Sequence, residues 1–220
     1  MAIVLPTSAD ITSENGWTKE QKIAFFESAI SSTNRPGADK VLAFVQKTDF
    51  YNAPSSMNHH SNYMGGLLDH SLLTYSCAVN LKKAITAVNP ELDSKLKDES
   101  IVVSALLHDL CKTNFYTNKQ KWYKDANDQW QSYIGFEIQD SFPIGHGEKS
   151  VIILQSIGFQ LEVEEMLAIR WHMGAWDGIP QQLDQRYAYM RAMEICPLCT
   201  LIQMADNMSS LYTEKEILHK

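Results

Sequence analysis

A chain of 220 residues with 45% hydrophobic residues is long enough for one well-cored domain and too apolar to be disordered. Its apolar runs stay short of the ~20 residues of a membrane span, and four irregularly spaced cysteines do not make a secreted disulfide framework. A formal net charge of -7 argues against a protein that grips long nucleic acid through phosphate contacts, yet leaves room for a small phosphorylated substrate held by local cations.

The opening MAIVLPTSAD lacks both the basic start and the apolar core of a secretory signal, so a cytoplasmic protein is expected. In TKEQKIAFFESAISS, Ile23, Phe26 and Ile30 recur at helical spacing behind Thr18, a capping residue. A short helix follows Pro36-Gly37 through KVLAFV, and residues 48–64 are irregular and polar. A long helix is expected from about Leu67 to Val88, stopped by Asn89-Pro90, and another from about Asp98 to Thr113.

The segment KQKWYKDANDQWQSYIGFEI reads as a β-hairpin around DAND, its Trp122, Tyr123 and Trp130 expected in cross-strand pairs and core packing. Helices resume at about 148–156 and 161–172. After the loop MGAWDGIPQQLDQ a last helical stretch runs through LIQMADNMSSL, with Pro197 as a first helical position. The expectation is a mostly α protein with a small β-hairpin insertion. One domain covers 1–220, its core at about 57–212 and a helical extension over 1–50.

The chemistry gathers around ALLHDLCK, where His108 and Asp109 follow the apolar run IVVSALL. A buried ionised carboxylate without a partner costs several kcal/mol, so Asp109 requires a cation or a hydrogen-bond network. His59, His60, His70, His108, His146 and His172 each fall near a helix end or in a loop beside small residues. Any one of them alone is more readily a hydrogen-bonded core or surface histidine; together they point to ligands. Imidazoles with carboxylates suit Mn²⁺, Fe²⁺, Ni²⁺, Zn²⁺ and, with more oxygen, Mg²⁺.

Gly145-His-Gly-Glu-Lys149-Ser150 is not a phosphate-binding P-loop, because Glu148 stands where that loop needs glycine, and its glycines are read as room around His146. Cys196-Pro-Leu-Cys199 has no second C-x-x-C pair and no βαβ context, and Cys77 and Cys111 read as buried thiols.

His70, the His108-Asp109 pair and Asp206 in QMADNMSS reproduce in order the H…HD…D pattern, and on these residues the sequence resembles the HD-domain metal-dependent phosphohydrolases over roughly residues 57–212. NHHSNYMGGLLDHSLL, HDLCK, IRWHMGAWD and LIQMADNMSS are most similar to the branch that includes bacterial 3′-to-5′ exoribonucleases. The resemblance implies a helical bundle in which His70, His108, Asp109 and Asp206 bind a first divalent ion. It further implies that His146 and His172 bind a second ion, with Asp109 bridging the two. The implied activity is hydrolysis of a phosphomonoester or phosphodiester by metal-activated water, with Asp109 and Lys112 catalytic and no protein nucleophile.

Asn58, His60, Lys112, Arg170 and Trp176 are the expected substrate contacts, Trp176 because it lies in the loop beside His172; Lys149 joins Arg170 as a phosphate-contact candidate, with surface charge the favoured reading of both. Those exoribonucleases carry a nucleic-acid-binding β-barrel ahead of the HD domain, whereas the first fifty or so residues here read as helices. With the acidic charge, this favours a nucleotide or other small phosphorylated substrate over RNA. A nucleotide-sensing module that does not hydrolyse its ligand is the reading from a different class.

Overall fold

The computed structural model describes residues 4–174 and 183–215. Thr7 and Thr18 each cap a helix with a reciprocal pair of bonds to the residue three positions on, which starts α1 (Ser8–Thr12) and α2 (Lys19–Ser32). There follow α3 (Ala38–Lys47), α4 (Gly66–Val88), α5 (Asp98–Leu107), the strands β1 (Tyr116–Lys124) and β2 (Trp130–Ile138), then α6 (His146–Ser156), α7 (Val163–Trp171), α8 (Leu183–Ile195) and α9 (Pro197–Tyr212). Short 3₁₀ turns occupy Pro90–Lys95 and Leu110–Lys112. Among the described residues no helix is long and apolar enough to cross a membrane.

The helix α5 is buried on every side from Ser100 to Leu107, so it has no polar face and must run through the middle of the molecule. It packs on α4, α7 and α9, while α4 also lies along α9 and α7 also meets α6. The amino-terminal helix α2 covers α4 and α5. Phe26 and Ile30 of α2, Leu67 and Leu72 of α4, Leu106 of α5 and Ile202 of α9 join in one buried cluster. The mostly α architecture with a β-hairpin is the one expected from the sequence, and Pro197 does open the last helix.

Three details differ from expectation. The helix expected to reach Thr113 stops at Leu107. Asp109 then takes φ -100° and ψ 19°, in the sparsely occupied bridge region, before the chain tightens into the 3₁₀ turn. The glycines flanking His146 do not make room for its ring. A Cβ on Gly147 would meet the Arg170 carbonyl at 2.2 Å, so this glycine lets α6 approach α7. In the hairpin, Trp122 and Trp130 are 59% and 65% exposed instead of packed into the core. Its buried positions lie toward the base, at Gly135 and Phe136.

The hairpin pairs Tyr116 with Ile138 at its base and Lys124 with Trp130 at its tip. Asp125 holds the turn by accepting from the amides of Asn127 and Gln129. Tyr123 and Tyr133 stack edge to face across the strands, and Lys124 Nζ lies 5.6 Å above the Trp130 ring.

Truncating Leu106, which is fully buried, is expected to cost about 2–5 kcal/mol. Replacing Ile152 by Ala on the exposed side of α6 should stay within about 0.5 kcal/mol. Denaturant unfolding of Leu106→Ala and Ile152→Ala measures both.

Candidate metal centre

The helices α5 and α7 end in the same way. His108 is the C-cap of α5 and donates through Nδ1 to the Ala105 carbonyl at 2.9 Å; His172 is the C-cap of α7 and donates through Nδ1 to the Ile169 carbonyl at 2.7 Å. The last carbonyls of a helix lack intrahelical partners, so each imidazole satisfies one of them and is held with the Nε2 lone pair pointing away. These two rings lie 4.7 Å apart, edge to face.

From α4, His70 brings Nε2 to 2.9 Å from His108 Nε2, 3.2 Å from Asp109 Oδ2 and 3.4 Å from Asp206 Oδ1 on α9. His146, the first residue of α6, brings Nε2 to 2.7 Å from Asp109 Oδ1, and His172 Nε2 stands 3.5 Å from the same oxygen. That His172 nitrogen is buried and has no hydrogen-bond partner. The two Asp109 oxygens therefore face different histidine pairs.

All six expected ligands are brought together, and their donor atoms fall into three overlapping groups, each within 4.8 Å. The groups are His70, His108 and Asp109; His108, His172 and Asp206; and Asp109, His146 and His172. Convergent nitrogen lone pairs, an orphaned buried Nε2 and a carboxylate that opens on both sides fit divalent cations held by nitrogen and oxygen.

Charge is distributed unevenly over these groups. Burial works against the Asp109 carboxylate, but Lys112, with Nζ 2.5 Å from Oδ2, and His108 hold it well below the ordinary carboxylate range. Lys112 is in turn pushed up by Asp109 despite its burial. His70 is raised to about 10 because Glu214 and Asp109 outweigh its desolvation, whereas burial lowers His108 and His146. Asp206 is lowered by His70 and His108 against the cost of burial.

Glu214 had no signal in the sequence. It lies past the end of α9, yet its buried carboxylate accepts from His70 Nδ1 at 2.6 Å. Only its fold-back, which no local pattern announces, brings it to the site.

The expected substrate contacts are placed less uniformly. His60 stacks 5.2 Å from the His70 ring at the edge of the centre, and burial lowers it to about 4, so it is neutral at pH 7. Asn58, beside it, accepts from Lys121 of the hairpin at 3.2 Å. Arg170 pairs with Glu148 at 2.6 Å and lies over the Trp171 ring at 4.0 Å. Lys149, expected on the surface, is buried and clamps both Asp140 oxygens at 2.6 Å. Trp176 lies outside the described residues. Cys111 Sγ rests 3.5 Å from the His146 ring nitrogens, and burial with the Asp109 charge pushes its thiol up to about 12, so it packs there as a neutral group. Cys196 and Cys199 are free, buried thiols at the start of α9.

The family model of the HD domain matches residues 67–211, a stretch that runs from the start of α4 to the end of α9 and includes every expected ligand. The chain belongs to the HD domain family. A relative from Methanocaldococcus jannaschii, named dihydroneopterin 2′,3′-cyclic phosphate phosphodiesterase, is 28% identical over 116 residues, 53% of this chain. The matched stretch spans 41% of that relative's length. No solved structure matches the chain.

His70 ties the stability of this HD domain to pH. Its folded pKa of about 10 lies above the ordinary 6.5, so its contribution is complete below pH 6.5 and is lost as pH rises toward 10; His172, also raised, acts in the same direction. His60 has the opposite sign, contributing above 6.5 and losing that contribution as pH falls to about 4. The Tm of the protein treated with chelator should fall between pH 6.5 and 9.5, and His70→Gln should flatten that fall in a calorimetric pH series.

Proposed function

We propose that this HD domain is a metal-dependent phosphohydrolase that cleaves a phosphoester of a small phosphorylated substrate, most directly a nucleotide. The observation that carries the reading is the division of the Asp109 carboxylate, with Oδ2 toward His70 and His108 and Oδ1 toward His146 and His172. His70, His108, Asp109 and Asp206 would hold one divalent cation, and Asp109, His146 and His172 a second. Cations bound there supply Lewis-acid polarisation of a phosphoryl oxygen and a water of lowered pKa. Four imidazoles with two carboxylates and no thiolate suit Mn²⁺, Fe²⁺, Ni²⁺ or Zn²⁺ better than Mg²⁺.

The chain's own groups have separate tasks. Asp109 stays ionised through the neutral range, and protonated Lys112 beside it offers a positive charge to a substrate phosphate. Neutral His60, tilted against the His70 ring at the edge of the centre, would offer the substrate a hydrogen bond without adding charge. No protein nucleophile is needed, and Cys111, held as a thiol, does not act as one. The catalytic unit is the core of about 57–212, with the helices of residues 1–50 as a cover on α4 and α5.

The relative's name supports a small phosphodiester as substrate. The net charge of -7 supports it over a long polyanion. Neither bears on which base or ring system the substrate carries.

With Mn²⁺ supplied, the protein should turn over bis-p-nitrophenyl phosphate, and a panel of nucleoside 2′,3′-cyclic phosphates and nucleoside monophosphates should include a better substrate. Asp109→Ala is expected to lower kcat by at least about 100-fold, since ion binding contributes several kcal/mol at the transition state. Lys112→Ala should lower kcat/KM by about 10–100-fold, the worth of one charge-assisted contact. Absence of Mn²⁺-dependent turnover, or an Asp109→Ala variant as active as the parent, would contradict the proposal. A ladder of shortened products from a labelled oligoribonucleotide would move it to an exoribonuclease, and tight binding of an intact nucleotide to a sensing module.

A further inference from the structure

Histidine ligands need an acceptor for the nitrogen that does not face the ion, because that bond sets the tautomer and the direction of the ring. His108 and His172 find theirs in the free carbonyls at the ends of their own helices. His70 has no such carbonyl. It lies in the opening turns of the 23-residue helix α4, where backbone acceptors are already engaged by the helix, and Leu67 O also receives Ser71 Oγ at 2.9 Å.

The missing acceptor comes from the segment after α9. Glu214 Oε1 takes the Nδ1 proton of His70 at 2.6 Å and the Ser209 hydroxyl at 2.6 Å, while Oε2 takes the Ser61 hydroxyl at 2.6 Å. The carboxylate is fully buried, and these three donors offset its desolvation. The segment is also held by its backbone. Ser61 N–H donates to the Lys215 carbonyl at 2.8 Å, and Ser8 Oγ donates to the Thr213 carbonyl at 2.5 Å. Gly66 lets the Ser61 loop fold against the start of α4, since a Cβ there would meet the Ser61 carbonyl at 1.9 Å.

We infer that Glu214 is a positioning residue of the metal centre: its carboxylate, and not the strap of residues 213–215 as a whole, fixes His70 as the Nδ1–H tautomer and aims Nε2 at the Asp109–Asp206 side. The inference rests on the metal reading of the site. The loop at Ser61, α4 and α9 meet on Glu214 itself, whereas α1 meets its neighbour Thr213.

Calorimetric titration with Mn²⁺ alone tests it on the full chain after removal of metal. Glu214→Ala should weaken Mn²⁺ affinity by about 10–100-fold, the usual effect of losing such a partner. In Glu214→Gln an amide oxygen still accepts from Nδ1, so at least half of that loss, on a logarithmic scale, should be recovered. This variant also carries the test if Glu214→Ala does not fold. Ser8→Ala loosens the strap without touching Glu214 and should change affinity less than threefold. Long-range ¹H–¹⁵N spectra of the Zn²⁺-loaded parent should show His70 protonated at Nδ1.

A parent that binds Mn²⁺ while Glu214→Ala binds it equally well overturns the inference alone. So does a Ser8→Ala loss as large as that of Glu214→Ala, which would make the strap merely structural. A parent that binds no Mn²⁺ overturns the metal reading and the inference together.

Discussion

The centre depends on one buried carboxylate. Asp109 is 2% exposed, at the end of the most apolar helix in the molecule, and an isolated charge there would cost several kcal/mol. It is kept ionised because Lys112 and His108 sit beside it and His146 donates to it, with His70 and His172 completing the ring. The surrounding fold can be read as the means of bringing those groups to one point. The helix α5 carries Asp109 to the interior, α4 and α9 pack along each other so that His70 faces Asp206, and α6 and α7 approach closely enough for His146 and His172 to share an oxygen.

A second regularity lies in how the imidazoles are aimed. Two of them use the free carbonyls of the helices they terminate, which joins capping to ligand orientation in a single bond. His70, inside the opening turns of α4, ends no helix and borrows the carboxylate of Glu214 from the segment after α9. Because that acceptor is charged, His70 alone among the centre's imidazoles has both a carboxylate behind it and carboxylates in front, which is why it is raised despite its burial.

Much of this was legible in the sequence because the order H…HD…D and the apolar lead into His108 are local patterns. The helices around them follow from periodicity and stop signals, and the hairpin from its turn residues. What was not legible depends on contacts between distant segments. The early end of α5 at Leu107 is imposed by the need to turn Asp109 inward, against a helical pattern that runs on to Thr113. Gly147 looked like space for its neighbour His146 and is instead space for a carbonyl of α7. Lys149 looked like surface charge because its partner, Asp140, precedes it by a loop. Glu214 is one acidic residue among others in TEKE, and only the fold-back past Ser61 distinguishes it. Trp122 and Trp130 carried a composition that predicts packing, but the tip of an isolated two-stranded sheet has no core to enter.

Cations bound through residues as far apart in sequence as His70 and Asp206 would, as proposed, balance the charge of Asp109. Elemental analysis of the protein loaded with Mn²⁺ and then freed of excess ion, counted per chain beside Asp109→Ala, tests this balance. Close to two ions per chain are expected in the parent and fewer than one in the variant, since the carboxylate serves both groups of ligands. An equal metal content in parent and variant, or none in the parent, would contradict it.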